Sequence, residues 1–234
     1  MWLVVGLGNP GAGYASHRHN VGFMAVDLLA DRLRADAFRD KFSGSWTKAS
    51  HAGEDLVLLK PQTFMNLSGQ SVQPAAAFFK VPVSNVLVMH DELDVPFGEL
   101  RLKLGGGHAG HNGLRSMIQS LGSPDFARVR IGIGRPPPGF RGEVADYVLS
   151  SFDASERAEI GDVLRRAADS VLDVLARGLT PAMNKQNAKS PARNSPKKPK
   201  PASTDESKAT NESESAPRSD ASRTGAVSPR GNNS

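Results

Sequence analysis

The chain has 234 residues, with 29 Lys and Arg against 24 Asp and Glu, and it contains no cysteine. Without cysteine the protein cannot form disulfides, thiolate metal sites or a cysteine nucleophile. The excess positive charge is no argument that the folded part binds nucleic acid, because the stretch from Asn184 carries ten basic and five acidic residues and leaves 19 of each elsewhere.

The N-terminal residues predict a buried strand that ends in a polar turn. The apolar run at 3–5 is typical of a buried strand, and the sequence GLGNPG at 6–11 predicts a sharp turn. Two histidines, an arginine and a second asparagine follow by residue 20. Since a loop at the end of a buried strand often carries polar chemistry, we expect this corner to belong to a functional site.

Further along the chain, hydrophobic patterns predict alternating helices and strands. Helices are predicted at about 20–35, 75–80, 111–121 and 155–177. Pro74 fits the first turn of the second helix better than its middle. Strands are predicted at 42–53, 55–60, 85–89, 98–104 and 127–134. This alternation indicates a three-layer α/β domain, in which a twisted mixed and largely parallel sheet is flanked by helices.

The C-terminal stretch differs from the rest in composition. After Met183, Val227 is the only Val, Leu, Ile, Met, Phe, Trp or Tyr. Such a segment cannot bury enough apolar surface to offset the entropy of ordering it. We therefore predict a folded domain at 1–188 and a disordered, basic, low-complexity tail at 189–234. Because we find no membrane-length apolar run and no signal-peptide pattern, we expect a soluble cytoplasmic protein with no membrane partner.

His19 and Asp91 are the best candidates for acid–base chemistry. Asp91 comes directly after a predicted buried strand, so it should reach the same edge of the sheet as the first loop. A carboxylate beside an imidazole fixes its tautomer and stabilises the imidazolium, so the histidine can take a proton from water. The alternative is a structural histidine and a solvated loop acid.

Two other chemistries match parts of the pattern. GLGNPG has the dinucleotide-binding spacing GxGxxG, but Pro10 removes an amide and residues 13–19 delay the helix that should meet the pyrophosphate. The second alternative is a metal site, whose possible ligands are His90, Asp91, His108 and His111. Their spacing lacks a helical HExxH pattern. We favour neither alternative and expect no metal and no cofactor.

A glycine-rich stretch at 105–110 precedes a predicted helix, whose free amides favour an anion or a carbonyl oxygen. Asn112 at the start of this helix is either a substrate donor or the helix cap. Between residues 101 and 141, seven basic residues accompany one acid, Asp125, which suits an anionic partner. We find no GxSxG elbow, which disfavours a serine nucleophile.

Four blocks resemble the bacterial peptidyl-tRNA hydrolase family in order and spacing. They are GLGNPG with Tyr14 and RHN at 18–20, PxTFMNLSG at 61–69, HDELD at 90–94 and GxxxHNGLR at 107–115. The similarity covers about residues 1–188. It implies a monomeric, metal-free, mixed-sheet α/β esterase that hydrolyses the bond between the peptide and the 3′ ribose of peptidyl-tRNA, recycling tRNA from stalled translation.

By residue, the resemblance implies that His19 activates water and that Asp91 orients it. It implies that Asn9 helps to distinguish a blocked α-amine from a free one, and that Asn66 and Asn112 hold the peptide backbone or the attacked carbonyl. The cleft lining is implied for Tyr14, Phe64 and Met65, and contacts with tRNA phosphates for Lys103, Arg101 and Arg141.

Two features depart from the family pattern. Family members usually carry Thr where this chain has His17, which adds an imidazole two residues before His19. The long basic tail is also outside the pattern. On the residues alone, a non-catalytic tRNA-binding module and a dinucleotide-dependent oxidoreductase are the competing functions.

Overall fold

The computed structural model describes residues 1–188, and the tail predicted at 189–234 lies outside the described residues. The strands are β1 (Trp2–Gly6), β2 (Arg39–Lys41), β3 (Gly44–His51), β4 (Glu54–Pro61), β5 (Val86–Glu92), β6 (Leu100–Leu104) and β7 (Ala127–Gly132). The helices are α1 (Val21–Arg32), α2 (Gly69–Phe78), α3 (Asn112–Leu121), α4 (Val144–Val148), α5 (Ala154–Arg177) and α6 (Leu179–Ala188).

All seven strands form one sheet in the order β2-β3-β4-β1-β5-β7-β6. The central strands β4, β1, β5 and β7 are parallel to one another. The outer strands β2, β3 and β6 pair antiparallel with their neighbours. The predicted mixed sheet is therefore confirmed. Because β1 and β5 are adjacent and parallel, their carboxyl ends meet at one edge of the sheet.

Side chains of β1 alternate between two apolar layers. Val4 packs in a cluster with residues of α1 and α5, whereas Leu3 and Val5 pack in a second cluster with residues of α2 and α3. This alternation follows from the two-residue period of a strand. The predicted three-layer arrangement is confirmed, with the sheet buried between two helical layers.

The predicted boundaries differ from the structure where polar residues continue an element. β5 extends to Glu92, so His90 and Asp91 lie within the strand and do not follow it. Pro74 lies inside α2, so its predicted place in the first turn is wrong. Proline deprives the carbonyl of Gln70 of its helical partner, and Gln70 is an exposed residue. The short elements β2, α4 and α6 were not predicted.

Helix α6 covers the free side of β6. The side chain of Asn187 accepts a hydrogen bond from the Leu102 N–H at 3.0 Å and donates one to the Leu102 carbonyl at 2.9 Å. Arg101 donates to the backbone carbonyl of Asn187 at 3.1 Å. The end of the described chain is therefore attached to the outermost strand of the sheet. Within residues 1–188, no helix is both long and apolar enough to span a membrane.

Candidate active site

Close packing between β1 and α1 shapes the turn after the first strand. A Cβ at Gly6 would collide with the carbonyl of Gly22, and a Cβ at Gly8 would collide with the ring of Phe23. Helix α1 begins only at Val21. The glycines therefore permit close helix–strand contact, and the helix amides lie too far along the chain to form the phosphate site of a dinucleotide fold.

Three side chains from separate parts of the chain converge at the carboxyl ends of β1 and β5. His19 lies in a short 3₁₀ turn that precedes α1, and Asp91 lies near the end of β5. Nδ1 of His19 is 2.8 Å from Oδ1 of Asp91, and Nε2 of His111 is 3.1 Å from the same oxygen. The structure brings the predicted pair together and adds His111, which the sequence suggested only as a possible metal ligand.

Hydrogen bonding fixes the proton positions in this triad. Burial acts to raise the pKa of Asp91, but interactions with His19 and His111 outweigh it and hold that pKa well below its usual range. An ionised carboxylate only accepts, so both imidazoles donate to it. Nδ1 of His111 accepts the N–H groups of Gly113 at 3.1 Å and Leu114 at 3.3 Å. Nδ1 of His111 is therefore an acceptor, and its Nε2 is the donor to Asp91.

His19 has the electronic arrangement of a general base. Burial acts to lower the pKa of His19, but the charge of Asp91 and the hydrogen bond to it outweigh burial and raise the pKa. Because Nδ1 donates to Asp91, Nε2 carries the lone pair of the neutral ring. His19 and Asp91 both line a cleft of about 360 Å³. The neutral ring can therefore accept a proton from a molecule in the cleft.

His90 supports the backbone beside Asp91. Its Nδ1 donates to the Asp91 carbonyl at 2.7 Å, and its ring meets that of His111 edge-on at 5.0 Å between centroids. Burial and the nearby His111 lower the pKa of His90 to about 3. The side chain is therefore uncharged at neutral pH, and among residues 1–188 its Nε2 finds no hydrogen-bond partner.

Asn9 is held by Asn20 and by the loop after β4. The N–H of Asn9 donates to Oδ1 of Asn20 at 2.9 Å, and Nδ2 of Asn20 donates to the Asn9 carbonyl at 2.8 Å. Oδ1 of Asn9 accepts the N–H of Met65 at 2.8 Å. The Asn9 side-chain NH₂ is therefore the group left to donate to a ligand. The sequence placed Asn20 in the polar corner beside His19 but gave no indication of its bonds to Asn9.

The other residues predicted to line the cleft differ in their burial and in their contacts. Met65 is buried, whereas Phe64 and Asn66 beside it are exposed. Tyr14 is half-buried, and its ring meets His17 edge-on at 5.4 Å. Asn112 lines the cleft, and its Oδ1 accepts a hydrogen bond from Arg115 at 2.8 Å.

The glycine-rich loop and α4 complete the cleft. The cap of α3 is His111 and not Asn112, because the His111 side chain accepts the first free amides of the helix. Val144 and Val148 of α4 line the cleft together with His19. These valines were not anticipated, because α4 is a short helix that is brought to the cleft by the tertiary fold.

The basic residues between 101 and 141 do not form one free cluster. Arg130 donates to Glu92 at 2.8 Å, Arg135 to Asp94 at 2.9 Å, and Arg128 to two backbone carbonyls of the glycine-rich loop. The three residues predicted to contact phosphates also differ in their surroundings. Arg101 bonds to Asn187 and Glu99, whereas Lys103 and Arg141 are exposed.

The register of β6 separates Lys103 from Asp91 along the sheet. Asp91 of β5 pairs with Ile131 of β7, and Ile131 pairs with Leu100 of β6. Lys103 pairs with Arg128, which lies three positions along β7 from Ile131. Lys103 therefore lies along the side of the sheet, outside the cleft that contains His19.

His19, Asp91 and His111 are also the group that offers metal-ligand atoms within 4.8 Å of one another. This set differs from the one suggested by the sequence, since His90 bonds to a backbone carbonyl and Nδ1 of His108 accepts the N–H of Gly110. Both imidazoles directed at Asp91 already form hydrogen bonds with it. The group is therefore complete as a hydrogen-bonded triad.

Comparisons with known proteins show the family of this chain. The model of the family described as "Peptidyl-tRNA hydrolase" matches residues 3–195. A peptidyl-tRNA hydrolase of Sorangium cellulosum is 66% identical over 189 residues, which cover 81% of this chain and 85% of the relative. One from Mycobacterium tuberculosis is 50% identical over 187 residues, covering 80% and 97%.

A solved structure gives the same result for the fold. The crystal structure of peptidyl-tRNA hydrolase from Acinetobacter baumannii matches with a TM-score of 0.74 and 43% identity, covering 82% of this chain and 97% of that one. Sequence and structure thus agree over nearly the whole length of these relatives. The chain belongs to the peptidyl-tRNA hydrolase family.

Proposed function

We propose that this protein hydrolyses the ester bond between the peptide and the 3′ ribose of peptidyl-tRNA. The observation that carries the proposal is the 2.8 Å contact between His19 Nδ1 and Asp91 Oδ1 at the wall of a cleft, in a chain of this family. An ester needs only an activated water and a polarised carbonyl, so an oriented imidazole with amide donors suffices. The reaction requires no metal and no cofactor.

In the proposed mechanism, Nε2 of His19 takes a proton from a water molecule as the water attacks the ester carbonyl. The resulting imidazolium is stabilised by Asp91, whose ionised carboxylate already accepts the Nδ1 proton. Collapse of the tetrahedral intermediate breaks the bond to the ribose oxygen, which leaves with a proton returned by His19. His111 holds the other side of the Asp91 oxygen and limits its movement.

Asparagine amides supply the neutral hydrogen bonds that a peptide needs. We assign the free NH₂ of Asn9 to the peptide next to the ester, because its carbonyl oxygen is already used by Met65. Asn66 and Asn112 form hydrogen bonds with the peptide backbone or the attacked carbonyl. The exposed ring of Phe64 packs against apolar side chains of the peptide. We assign Tyr14, which is half-buried and lies five residues before His19, to the same region.

The tRNA lies, in this proposal, on the side of the sheet that ends at β6. Lys103 is exposed on β6, and Arg141 is exposed in the loop before α4. Both can contact phosphates. Arg101 contributes less, because its guanidinium bonds to Asn187 and Glu99. The protein acts as a monomer in the cytoplasm, where its substrate is found.

We also propose that residues 1–188 form the catalytic domain and that the basic tail adds nonspecific attraction to RNA. Five basic and no acidic residues lie between 189 and 200. Since Asn187 is attached to Leu102, this segment begins two positions after a fixed point beside Lys103. Truncation after residue 188 should weaken tRNA binding at low salt and reduce its salt dependence. Identical binding curves at low salt for both forms would refute this role.

The decisive experiment is release of N-acetyl-aminoacyl groups from tRNA by the purified protein with EDTA present. His19→Ala should lower kcat by about 10²–10⁴-fold, because it removes the general base. His51→Ala is the matched control, since His51 lies on β3 away from the cleft. Tight tRNA binding without turnover in the wild type would favour a non-catalytic tRNA-binding module. Full activity of His19→Ala would refute the mechanism.

A further inference from the structure

Arg18 is a buried arginine that the proposed chemistry does not use. Its side chain is only 6% exposed, and its guanidinium donates to the Ser150 hydroxyl at 2.8 Å and to the Ser151 carbonyl. The same group forms an ion pair with Glu156 and lies over the ring of Tyr147, 4.5 Å from its centroid. Burial of so polar a group is tolerated only where partners surround it.

Glu156 is itself held in place by the start of α5. Oε2 of Glu156, which accepts from Arg18, also accepts the backbone N–H of Asp153 at 2.8 Å. The Asp153 side chain accepts the N–H of Glu156 at 2.9 Å in return, which completes a capping box. Arg18 is therefore attached to a fixed turn of a 24-residue helix and not to a mobile side chain.

The position of Arg18 in the chain links its attachment to α5 with the position of His19. Arg18, His19 and Asn20 form a single 3₁₀ turn. Asn20 on one side is tied to Asn9, and Arg18 on the other is tied to α5. His19 lies between the two attachments, so a displacement of Arg18 also displaces the imidazole relative to Asp91.

The same contacts hold the far wall of the cleft. The Arg18 N–H donates to the Ser150 carbonyl at 3.0 Å, directly after α4, and the Arg18 guanidinium packs on Tyr147 of α4. Val144 and Val148 of this helix line the cleft with His19. One side chain therefore joins the segment that carries the general base to the helix that faces it.

We propose that Arg18 is a positioning residue, which with Glu156 holds His19 and α4 in the relative arrangement that hydrolysis needs. The inference rests on the proposed function of His19. A misplacement of about 1 Å in a catalytic group can cost on the order of 100-fold in rate. Loss of the attachment should therefore lower kcat while the groups that react remain present.

The experiment compares conservative and disruptive variants. Glu156→Gln retains an oxygen that accepts from both Arg18 and Asp153, so kcat should stay within about twofold of wild type. Glu156→Ala and Arg18→Gln remove the attachment and should lower kcat by roughly 10-fold or more. Arg32→Gln is the matched control, because Arg32 is an arginine that bonds to α5 outside the cleft. It should keep wild-type kcat.

A second measurement does not depend on turnover. The ¹⁵N chemical shifts of the His19 ring should report a single Nδ1–H tautomer in the wild type and in Glu156→Gln, and a mixture in Glu156→Ala. If Glu156→Ala and Arg18→Gln keep wild-type kcat and the wild-type tautomer, Arg18 has no positioning role. If their losses equal that of Arg32→Gln, the effect is general destabilisation. A wild type with the ordered tautomer but no hydrolysis would refute the proposed function and leave the attachment intact.

Discussion

His19 and His111 donate to the same oxygen of Asp91, at 2.8 Å and 3.1 Å. His19 precedes Asp91 in the sequence, and His111 follows it. The carboxylate therefore serves two different histidines. One belongs to the turn before α1 and faces the cleft with a free nitrogen, and the other caps α3 with its remaining nitrogen.

Asp91→Asn should reduce kcat by about 10²–10⁴-fold, because an amide can donate to Nδ1 and so stabilise the wrong tautomer of His19. The charge of Asp91 raises the pKa of His19, so its loss should also move the acid limb of kcat/KM to lower pH. The measurement is kcat/KM between about pH 5 and pH 9. An unchanged midpoint would show that His19 is not the titrating base.

Asn9→Asp should raise KM for N-acetyl-aminoacyl-tRNA by about 10-fold or more. The substitution keeps an oxygen that accepts from Met65 and replaces the NH₂ that we assign to the substrate with a charged carboxylate oxygen, which cannot donate. Asn85→Asp changes an exposed asparagine elsewhere and is the matched control. Equal KM values for the wild type and Asn9→Asp would exclude Asn9 as a substrate donor.

His111→Asn and His111→Ala should differ in stability but agree in activity. Asparagine is a good helix cap and alanine is not, so the free energy of unfolding should be lower in His111→Ala than in His111→Asn, by about 1 kcal/mol. Neither side chain can reproduce the bond from Nε2 to Asp91, so both should lower kcat. Denaturant unfolding and initial rates test the two effects separately, and wild-type kcat in His111→Asn would limit His111 to capping.

His90 should make the protein less stable in acid. Its pKa is lowered to about 3 in the folded state, so between about pH 6.5 and pH 3 the unfolded chain binds the extra proton and stability falls as pH falls. From pH 6.5 to pH 5 the loss is about 2 kcal/mol. The raised pKa of His19 acts only above about pH 6.5, where its contribution is lost as pH rises through the folded value.

Urea unfolding of the wild type and His90→Gln at pH 6.5 and pH 5 tests this assignment. Glutamine is uncharged in both states, so the variant should lose less stability between the two pH values. Equal losses in the two proteins would assign the acid sensitivity to another group.

The sequence predicted those parts of the fold that local pattern specifies. The apolar run of β1 and the long helix predicted at 155–177 were placed correctly. The pairing of His19 with Asp91 followed from two strands ending at the same edge of a parallel sheet. In each case a short-range signal or one topological rule was sufficient.

The features that were missed depend on partners distant in sequence. Arg18 is an ordinary basic residue until Glu156 is brought beside it, 138 positions away. The basic stretch at 101–141 was read as an anionic-partner surface, yet Arg130 and Arg135 are paired with acids of β5 and the loop after it. Such pairings cannot be predicted from local composition, because they form only through tertiary contacts.

The bond between Asn187 and Leu102 has a consequence for shortened forms of the protein. β6 is the outermost strand on its side, and the amide of Asn187 occupies the N–H and the carbonyl that β6 would otherwise present to another chain. A form that stops at Gly178 would expose this row of unpaired groups and invite self-association through strand addition. Any trimming intended to remove the tail should leave Asn187 in place.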